Sequence, residues 1–538
     1  MPKVNVKVPQ LNGFDKSFKH LATAKCGTLV PLLTDELPAS TKVHLKSAMM
    51  AQLPPLATDT YMRVNLKMEA FFVPTRLLYG GYCSWLTREK LRIPTRPNED
   101  LYARLPVLSV AETASTSVCQ PGSLLDYLGC HSIRGVGEVV QSQFNIFPLL
   151  AYHRIYDDWY RNPNVQTPVF VRPLSGDNTL KVYSLPFFTI DSSVTTTPAY
   201  SVSAQLADGV ALGSLRQRNF GFDYFTNALP SPQRGDPQKV VIDTDDNSFT
   251  IASLRAANSL QQFAERQELA GPRWQDFLKA NYNADLSNGV AQRCIYLGSG
   301  EVSVYNKGFY QTSAYNAQGA SVGSVATNPF STSNDSTQPI VGAKFGDATA
   351  SGEITLVDSF TTQEPGYLMV LCSLVPVVTY GTGINRMFFR NNSDDSQPDL
   401  ATPILQNVGN QPIYNGELTG RINRGVFGYT DRYADFKYKN DELSGLVRDG
   451  ESLEAFALQR CLSGYPEISD EFLQIPTDYM DQVTVVKEWL SNFGYWIDSY
   501  FDYKVAMPLS SYSLPSLQDP AYEHGQNVVI DTNGSQIR

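Results

Sequence analysis

The sequence predicts an all-β chain, a β-sandwich with long inserted loops and a few short helices. Residues 63–73 read as a strand, in which Met62, Val64, Leu66 and Met68 alternate with Arg63, Asn65, Lys67 and Glu69, the period of a half-buried strand. Helical periodicity is confined to a few stretches, and between them lie long segments such as 298–363, rich in Gly, Ser, Thr and Asn. No motif recurs at a fixed period, which argues against a solenoid or a propeller.

Taken in order, residues 1–60 read as an extended N-terminal arm, and 61–538 as a single domain with large insertions. Val4, Val6 and Val8 alternate with Asn5 and Lys7, and prolines at 9, 31, 38, 54 and 55 exclude a long helix. The strand that follows closes at Pro74. Residues 147–160 switch to a helical period: Leu149, Tyr152, Tyr156 and Trp159 recur at three or four, and Pro148 suits a first turn. That stripe, Tyr152, Tyr156 and Trp159, is expected to pack on the sandwich, with Arg154, Asp157 and Asp158 nearer the polar side. A second helix is expected over 251–269, one face formed by Leu254, Ala257, Leu260, Phe263 and Ala264 with Arg255, Gln262, Glu265 and Arg266 largely outside it, and Gly271–Pro272 stopping it. A third, capped by Ser452, is expected over 452–460. The apolar run 366–378 is too short to span a bilayer and reads as a buried strand, and 499–508 as a strand ended by Pro508.

Charged residues make up only 18% of the chain, against roughly 25% in an average soluble domain. Ser, Thr, Asn, Gln and Tyr therefore cover the surface. A net charge of −10 argues against a surface built wholly for nucleic acid, though not against a local basic patch. Seven scattered cysteines without a CxxC signal neither a disulfide framework nor a zinc knuckle, and fit a reducing compartment. The opening residues carry no apolar core of a signal peptide, and no membrane insertion is expected.

Catalytic chemistry finds no foothold. The histidines His20, His44, His131, His153 and His524 form no metal-binding pair, and no nucleophile elbow or phosphate loop is present. Gly381 and Gly383 lack the third glycine and following helix of a dinucleotide site, so they read as a turn. The acid pairs Asp157–Asp158, Asp245–Asp246 and Asp394–Asp395 read as ordinary solvated carboxylates. No catalytic residue, cofactor or metal site is expected. One charge bias stands out: residues 1–25 carry Lys3, Lys7, Lys16, Lys19 and Lys25 against Asp15 alone, a local 5 − 1 = +4. Such a segment can meet phosphate, with Phe14 and Phe18 stacking on bases, or it can bind a neighbouring subunit.

Several stretches carry a family pattern. In FPLLAYHRIYDDWYRNPN, residues 147–164, the matching positions are Pro148, Ala151–Tyr152, Ile155–Tyr156, Trp159–Tyr160–Arg161 and Asn164; Phe147 stands for the usual Leu and Asp157 for Asn. DYFTNALPSPQRG at 223–235 follows, with Ser231 where many relatives have Trp. Then come SLRAANSLQQFAER at 253–266, AQRCIYLGSGEVSV at 291–304, GYLMVLCSLVPVVTYGTGINRMFFR at 366–390, GVFGYTDRYADFKYKNDELSG at 425–445, SLEAFALQR at 452–460 and DYKVAMPLSSYSLP at 502–515. In these segments, which span most of the chain in family order, the protein resembles the major capsid proteins of the microviruses, small icosahedral phages with circular single-stranded DNA.

The resemblance implies an eight-stranded jelly roll and a structural role, sixty copies forming a T=1 shell around the DNA. It implies as partners other copies of the chain, the packaged DNA, a small basic DNA-binding protein, spike, pilot or scaffold proteins and a bacterial surface receptor. The location it implies is the virion, assembled in the host cytoplasm. In the gokushovirus branch a long insertion after the DYFT loop raises a threefold protrusion; here only residues 236–250 separate Gly235 from Ile251, so that insertion is expected to be short or absent. The alternative from another class is a carbohydrate-active or carbohydrate-binding β-sandwich, which as an enzyme needs two carboxylates across a cleft.

Overall fold

The computed structural model describes residues 4–8, 11–79, 81–87, 90–93, 96–102, 104–110, 119–131, 142–170, 199–200, 203–235, 251–287, 292–310, 344–389, 410–421, 425–462, 464–485, 489–509, 526–530 and 536–537. Ten strands among them build two antiparallel sheets: β1 (Asn12–Asp15), β2 (Phe18–Ala24), β3 (Val30–Leu37), β4 (Lys42–Gln52), β5 (Val64–Pro74), β6 (Ile295–Ser303), β7 (Tyr305–Tyr310), β8 (Lys344–Thr361), β9 (Gly366–Pro376) and β10 (Tyr495–Met507). One sheet runs in the order β6-β5-β9-β3; the other runs β7-β8-β4-β10, with β1 and β2 both on the free side of β10.

The pairing is nested. The first strands, β1 and β2, pair with the last, β10. Moving inward, β3 pairs with β9, β4 with β8, and β5 with β6. Between β6 and β7 only Val304 intervenes, so one extended stretch passes from the first sheet into the second.

Alternation explains the layers. Along β10, Tyr495, Ile497, Phe501, Tyr503 and Val505 point into the space between the sheets, while Trp496, Tyr500 and Lys504 face out. On β9 every residue is buried, because both its faces are covered. Leu368, Val370, Cys372 and Leu374 join the core between the sheets. Tyr367, Met369 and Leu371 face the opposite way, into a second core beneath helix α1 (Phe147–Ile155). The continuous apolar run is thus two alternating stripes serving two cores, each fully buried aliphatic side chain contributing roughly 1.5–3 kcal/mol.

Residues 12–52, read from sequence as part of an arm, are extended as expected but lie within the two sheets. Pro31 is accommodated because β3 is an edge strand. The short strand Val4–Val8 pairs with Gln526–Ile530 near the other end of the chain. The polar stretch 298–363, expected to give surface excursions or short strands, includes an 18-residue strand, β8, whose register slips between Thr355 and Val357 and again before Phe360.

Helix α1 begins at Phe147, whose N–H is held by the Asn145 side chain at 2.9 Å, and Pro148 fills its first turn. It then widens into a π-turn over Tyr156–Tyr160, closed by the Arg161 N–H donating to the Tyr156 carbonyl at 3.0 Å. Helix α2 (Ile251–Ala270) forms as predicted, and its apolar residues are largely uncovered: Leu254, Leu260 and Phe263 are 46%, 54% and 45% exposed, and only Ala264 and Glu268 are buried. Helix α3 (Trp274–Tyr282) follows and ends on Asn283 in the left-handed region. The third predicted helix reduces to a single 3-10 turn, Glu454–Phe456, without a side-chain cap from Ser452. Tertiary pairing overrides propensity there: Ala457 bridges Tyr61, and Arg460 bridges Tyr380.

Candidate functional site

A buried polar hub forms where α1 joins the sheet. Its aromatic stripe packs against the body of the subunit. Tyr152 is fully buried, and its hydroxyl donates to the Leu29 carbonyl at 2.8 Å while accepting from the Arg216 N–H at 2.7 Å. Tyr156 is buried beneath the Arg216 guanidinium, 5.0 Å from its ring centre. Trp159 packs beside Phe71 and Tyr296, donates from Nε1 to the Cys294 carbonyl at 3.1 Å, and carries the Arg293 guanidinium 3.6 Å over its ring.

The acid pair beside it corrects the sequence reading. Asp157 and Asp158 are not solvated; each is 5% exposed. Both carboxylates lie in the π-turn, amid a group of arginines. Asp157 accepts from Arg161 Nε at 2.6 Å and from the Val169 N–H at 3.2 Å. Asp158 accepts from Arg154 Nε and from the Cys294 N–H, both at 3.0 Å. Arg273, at the start of α3, donates to the carbonyls of Asp157 and Asp158 at 2.6 and 2.7 Å, and Arg293 donates to the Asp158 carbonyl at 2.5 Å. Burial, reinforced by Arg161 and Arg293, pulls the Arg273 guanidinium down to about 10. Carboxylates whose lone pairs are committed to N–H donors act as anchors, not as proton carriers. The hub fastens α1 to α3 and to the segment leading into β6.

Two further networks complete it. Tyr160 donates to Glu69 on β5 at 2.5 Å; Glu69 also pairs with Arg218, whose guanidinium reaches Ser373 on β9 at 3.1 Å. His153 is fully buried, and its ring nitrogens face Arg216 Nε at 3.0 Å and the Leu212 carbonyl at 2.8 Å. Burial first, and Arg216 second, hold its pKa down to about 3, so the ring is neutral, with Nδ1 accepting and Nε2–H donating.

The residues singled out for DNA are not gathered into one cluster. Lys3 lies outside the described residues, and Lys7 stands in the strand paired with Gln526–Ile530, opposite Asn527. Phe14 packs against the core between the sheets, and Phe18 stacks on Phe501 at 5.2 Å. Lys16 is ion-paired with Asp35, Lys19 pairs with Asp498 at 2.7 Å, and Lys25 is exposed. The two rings are thus engaged by the protein's own core.

Among the described residues no three of His, Cys, Asp and Glu converge to hold a metal ion, and no helix is long and apolar enough to cross a membrane. Asp245–Asp246 and Asp394–Asp395 lie outside the described residues. Gly381 and Gly383 form the predicted turn; Gly383 has φ +124°, and a Cβ there would meet the Glu417 carbonyl at 2.2 Å.

Comparison with known proteins places this architecture. The family described as Capsid protein (F protein) matches residues 4–246 and 235–517. Capsid protein VP1 of Chlamydia phage 1 is 23% identical, the alignment taking in 94% of this chain and 96% of that one. Capsid protein VP1 of Bdellovibrio phage phiMH2K is 24% identical over 94% and 95%, and that of Spiroplasma virus 4 is 21% identical over 86% of each. An antiparallel, charge-poor chain whose buried acids act as anchors fits a structural role, and the match along nearly its whole length fixes which one: the chain belongs to the phage capsid protein family, Capsid protein (F protein).

Proposed function

We propose that this capsid protein is an eight-stranded jelly roll, sixty copies of which close a T=1 icosahedral shell around circular single-stranded DNA. The observation that carries this reading is the nested pairing. Counting β1 with β2 and β6 with β7 as single strands gives eight, numbered one to eight along the chain. One then pairs with eight, two with seven, three with six and four with five. The two sheets become 1-8-3-6, with the second half of strand five beside six, and 2-7-4-5 with its first half, the order of two Greek keys wound together. A closed shell of such subunits is favoured because point-group closure leaves no contact unpaired.

In this reading DNA is held by charge rather than by base readout. Lys3, Lys7, Lys16, Lys19 and Lys25 meet phosphates, with Lys16 and Lys19 sharing themselves between phosphate and their own carboxylates. With a net charge of −10, the subunit cannot neutralise a genome alone, which supports a small basic partner inside the shell. Spike, pilot or scaffold proteins and a bacterial receptor complete the partners, and assembly takes place in the host cytoplasm. The spacing of only 236–250 before α2 supports a shell without a tall protrusion built from that position.

Imaging of phage-derived particles by electron cryomicroscopy tests the proposal. The expected result is a closed shell of sixty subunits with this fold and density for nucleic acid inside. A homogeneous monomer in phage-derived material, or a shell of different symmetry, overturns it.

A further inference from the structure

Residues 119–130 fold into a closed loop around a single helical turn, Leu124–Tyr127. The Asp126 N–H donates to the Ser123 hydroxyl at 3.3 Å, and the Asp126 carboxylate accepts from the Gly122 N–H at 2.9 Å. Leu124 and Leu125 are buried in the core beneath α1. Gly129, at φ +98°, turns the chain back, and the Cys130 N–H donates to the Leu125 carbonyl at 2.9 Å. Tyr127 ties the loop to β2, its hydroxyl donating to the Thr23 carbonyl at 2.5 Å. These bonds bring the two ends of the loop together. Cys119 Sγ and Cys130 Sγ lie 3.6 Å apart, free thiols in contact although eleven positions separate them along the chain. Cys119 is buried and Cys130 half-buried.

We propose that Cys119 and Cys130 are a dithiol that closes to a disulfide once the particle leaves the reducing host cytoplasm. The inference rests on the virion reading given above for its timing, and on the loop geometry for its chemistry. Thiols of cytosolic proteins are kept reduced, whereas a released particle meets small-molecule disulfides such as oxidised glutathione. Burial pushes the Cys119 thiol up to about 12, so the more open Cys130 is the sulfur that meets the oxidant. Cys130 gives its proton to solvent, and its thiolate attacks one sulfur of the small disulfide. A bond forms between Cys130 and that sulfur, the original S–S bond breaks, and one glutathione leaves as thiolate and is protonated. The Cys119 sulfur then loses its proton and attacks Cys130 Sγ, expelling the second glutathione, which takes up a proton in turn. Two protein thiols are oxidised and one small disulfide is reduced to two thiols. Reaching a bond of about 2.05 Å asks the sulfurs to close by only about 1.6 Å. The product is a covalent ring of residues 119–130 seated on the core beneath α1.

The test incubates the purified full chain in a buffer of reduced and oxidised glutathione, quenches it, alkylates it after denaturation, and maps the peptide holding both cysteines by mass spectrometry. The expected product is that peptide two hydrogens lighter, with neither cysteine alkylated. Cys119→Ser should stop at the mixed disulfide of Cys130 with glutathione, since the second attacking sulfur is gone. Proximity in the fold drives the closure, so its equilibrium constant should be at least about tenfold larger in the folded chain than in the same chain unfolded in urea. Two alkylated cysteines after oxidation overturn the proposal, as does equal closure in the folded and unfolded chain. Particles collected from the medium and alkylated at once should carry the bond, and subunits alkylated inside infected cells should carry the open dithiol. Released particles with two free thiols, or intracellular subunits already bonded, also overturn it. If the unaltered chain forms no closed particle, the shell reading itself fails, while the glutathione measurement on the subunit still decides the dithiol.

Discussion

Replacing Asp158 with Asn keeps the shape of the side chain and removes its charge. The carboxylate accepts from Arg154 Nε and from the Cys294 N–H, and its surroundings hold the guanidinium groups of Arg154, Arg161, Arg273 and Arg293 against the carboxylates of Asp157, Asp158 and Asp276. Removing one partner of a buried pair leaves the other charge uncompensated and costs about 3–5 kcal/mol. Against a total stability of roughly 5–15 kcal/mol, that is a large share. Equilibrium urea unfolding of the subunit should show a lower midpoint at unchanged slope. The companion variant Arg154→Met and the double variant close a cycle, in which the double change should cost less than the sum by about 1–3 kcal/mol. A loss below about 1 kcal/mol for Asp158→Asn, or strict additivity in the cycle, refutes the view that the acid pair anchors the fold.

Three other outcomes are expected. Tyr152→Phe opens no cavity but strips the Leu29 carbonyl and the Arg216 N–H of a partner, and should cost about 2–4 kcal/mol in the same unfolding assay. Stability should fall as pH drops from about 6.5 to about 3, because the unfolded His153 takes up a proton in that window and the folded ring, held down to about 3, does not. The His153 contribution is complete above pH 6.5, amounts to about 5 kcal/mol, and should vanish from the pH profile of His153→Gln. Changing Lys7, Lys19 and Lys25 to Glu should lower packaged DNA and weaken its retention at raised salt; particles with unchanged DNA content would leave those lysines a purely structural role.

Two strands were legible because one face met water. Val64–Pro74 and Tyr495–Met507 alternate because each separates a core from a wetter side. The all-buried Gly366–Pro376 was legible for the opposite reason, a run of apolar residues too short for a membrane. Helix α1 showed in its aromatic spacing, but the π-turn did not, since one widened turn leaves no mark on composition. A signal for the buried acids was nevertheless present: Arg154 lies four residues before Asp158, and Arg161 four after Asp157, the spacing of helical ion pairs. The contributions of Arg273 and Arg293 come from more than a hundred residues away and could not be read locally. For α2 the amphipathic pattern was correct, but a pattern states only that a face seeks cover, not that the same chain supplies it. The Ser452 segment failed because its residues are claimed by bridges to Tyr61 and Tyr380, hundreds and tens of residues distant.

The nested pairing also sets an order in time. Lys504 lies opposite Asp15, and Trp496 opposite both Thr23 and Gln52, so the earliest strands wait for the latest. At the roughly 5–20 residues per second of synthesis, β4 exists for tens of seconds before either of its neighbours leaves the ribosome. Contacts this distant along the chain make for slow folding and keep strand edges open meanwhile. A polypeptide cut short anywhere before Tyr495 lacks the strand that joins β4 to β1 and β2, and cannot finish its second sheet. Synthesis through β10 thereby becomes a condition for having a subunit at all, and the topology inspects for products that stop short of it.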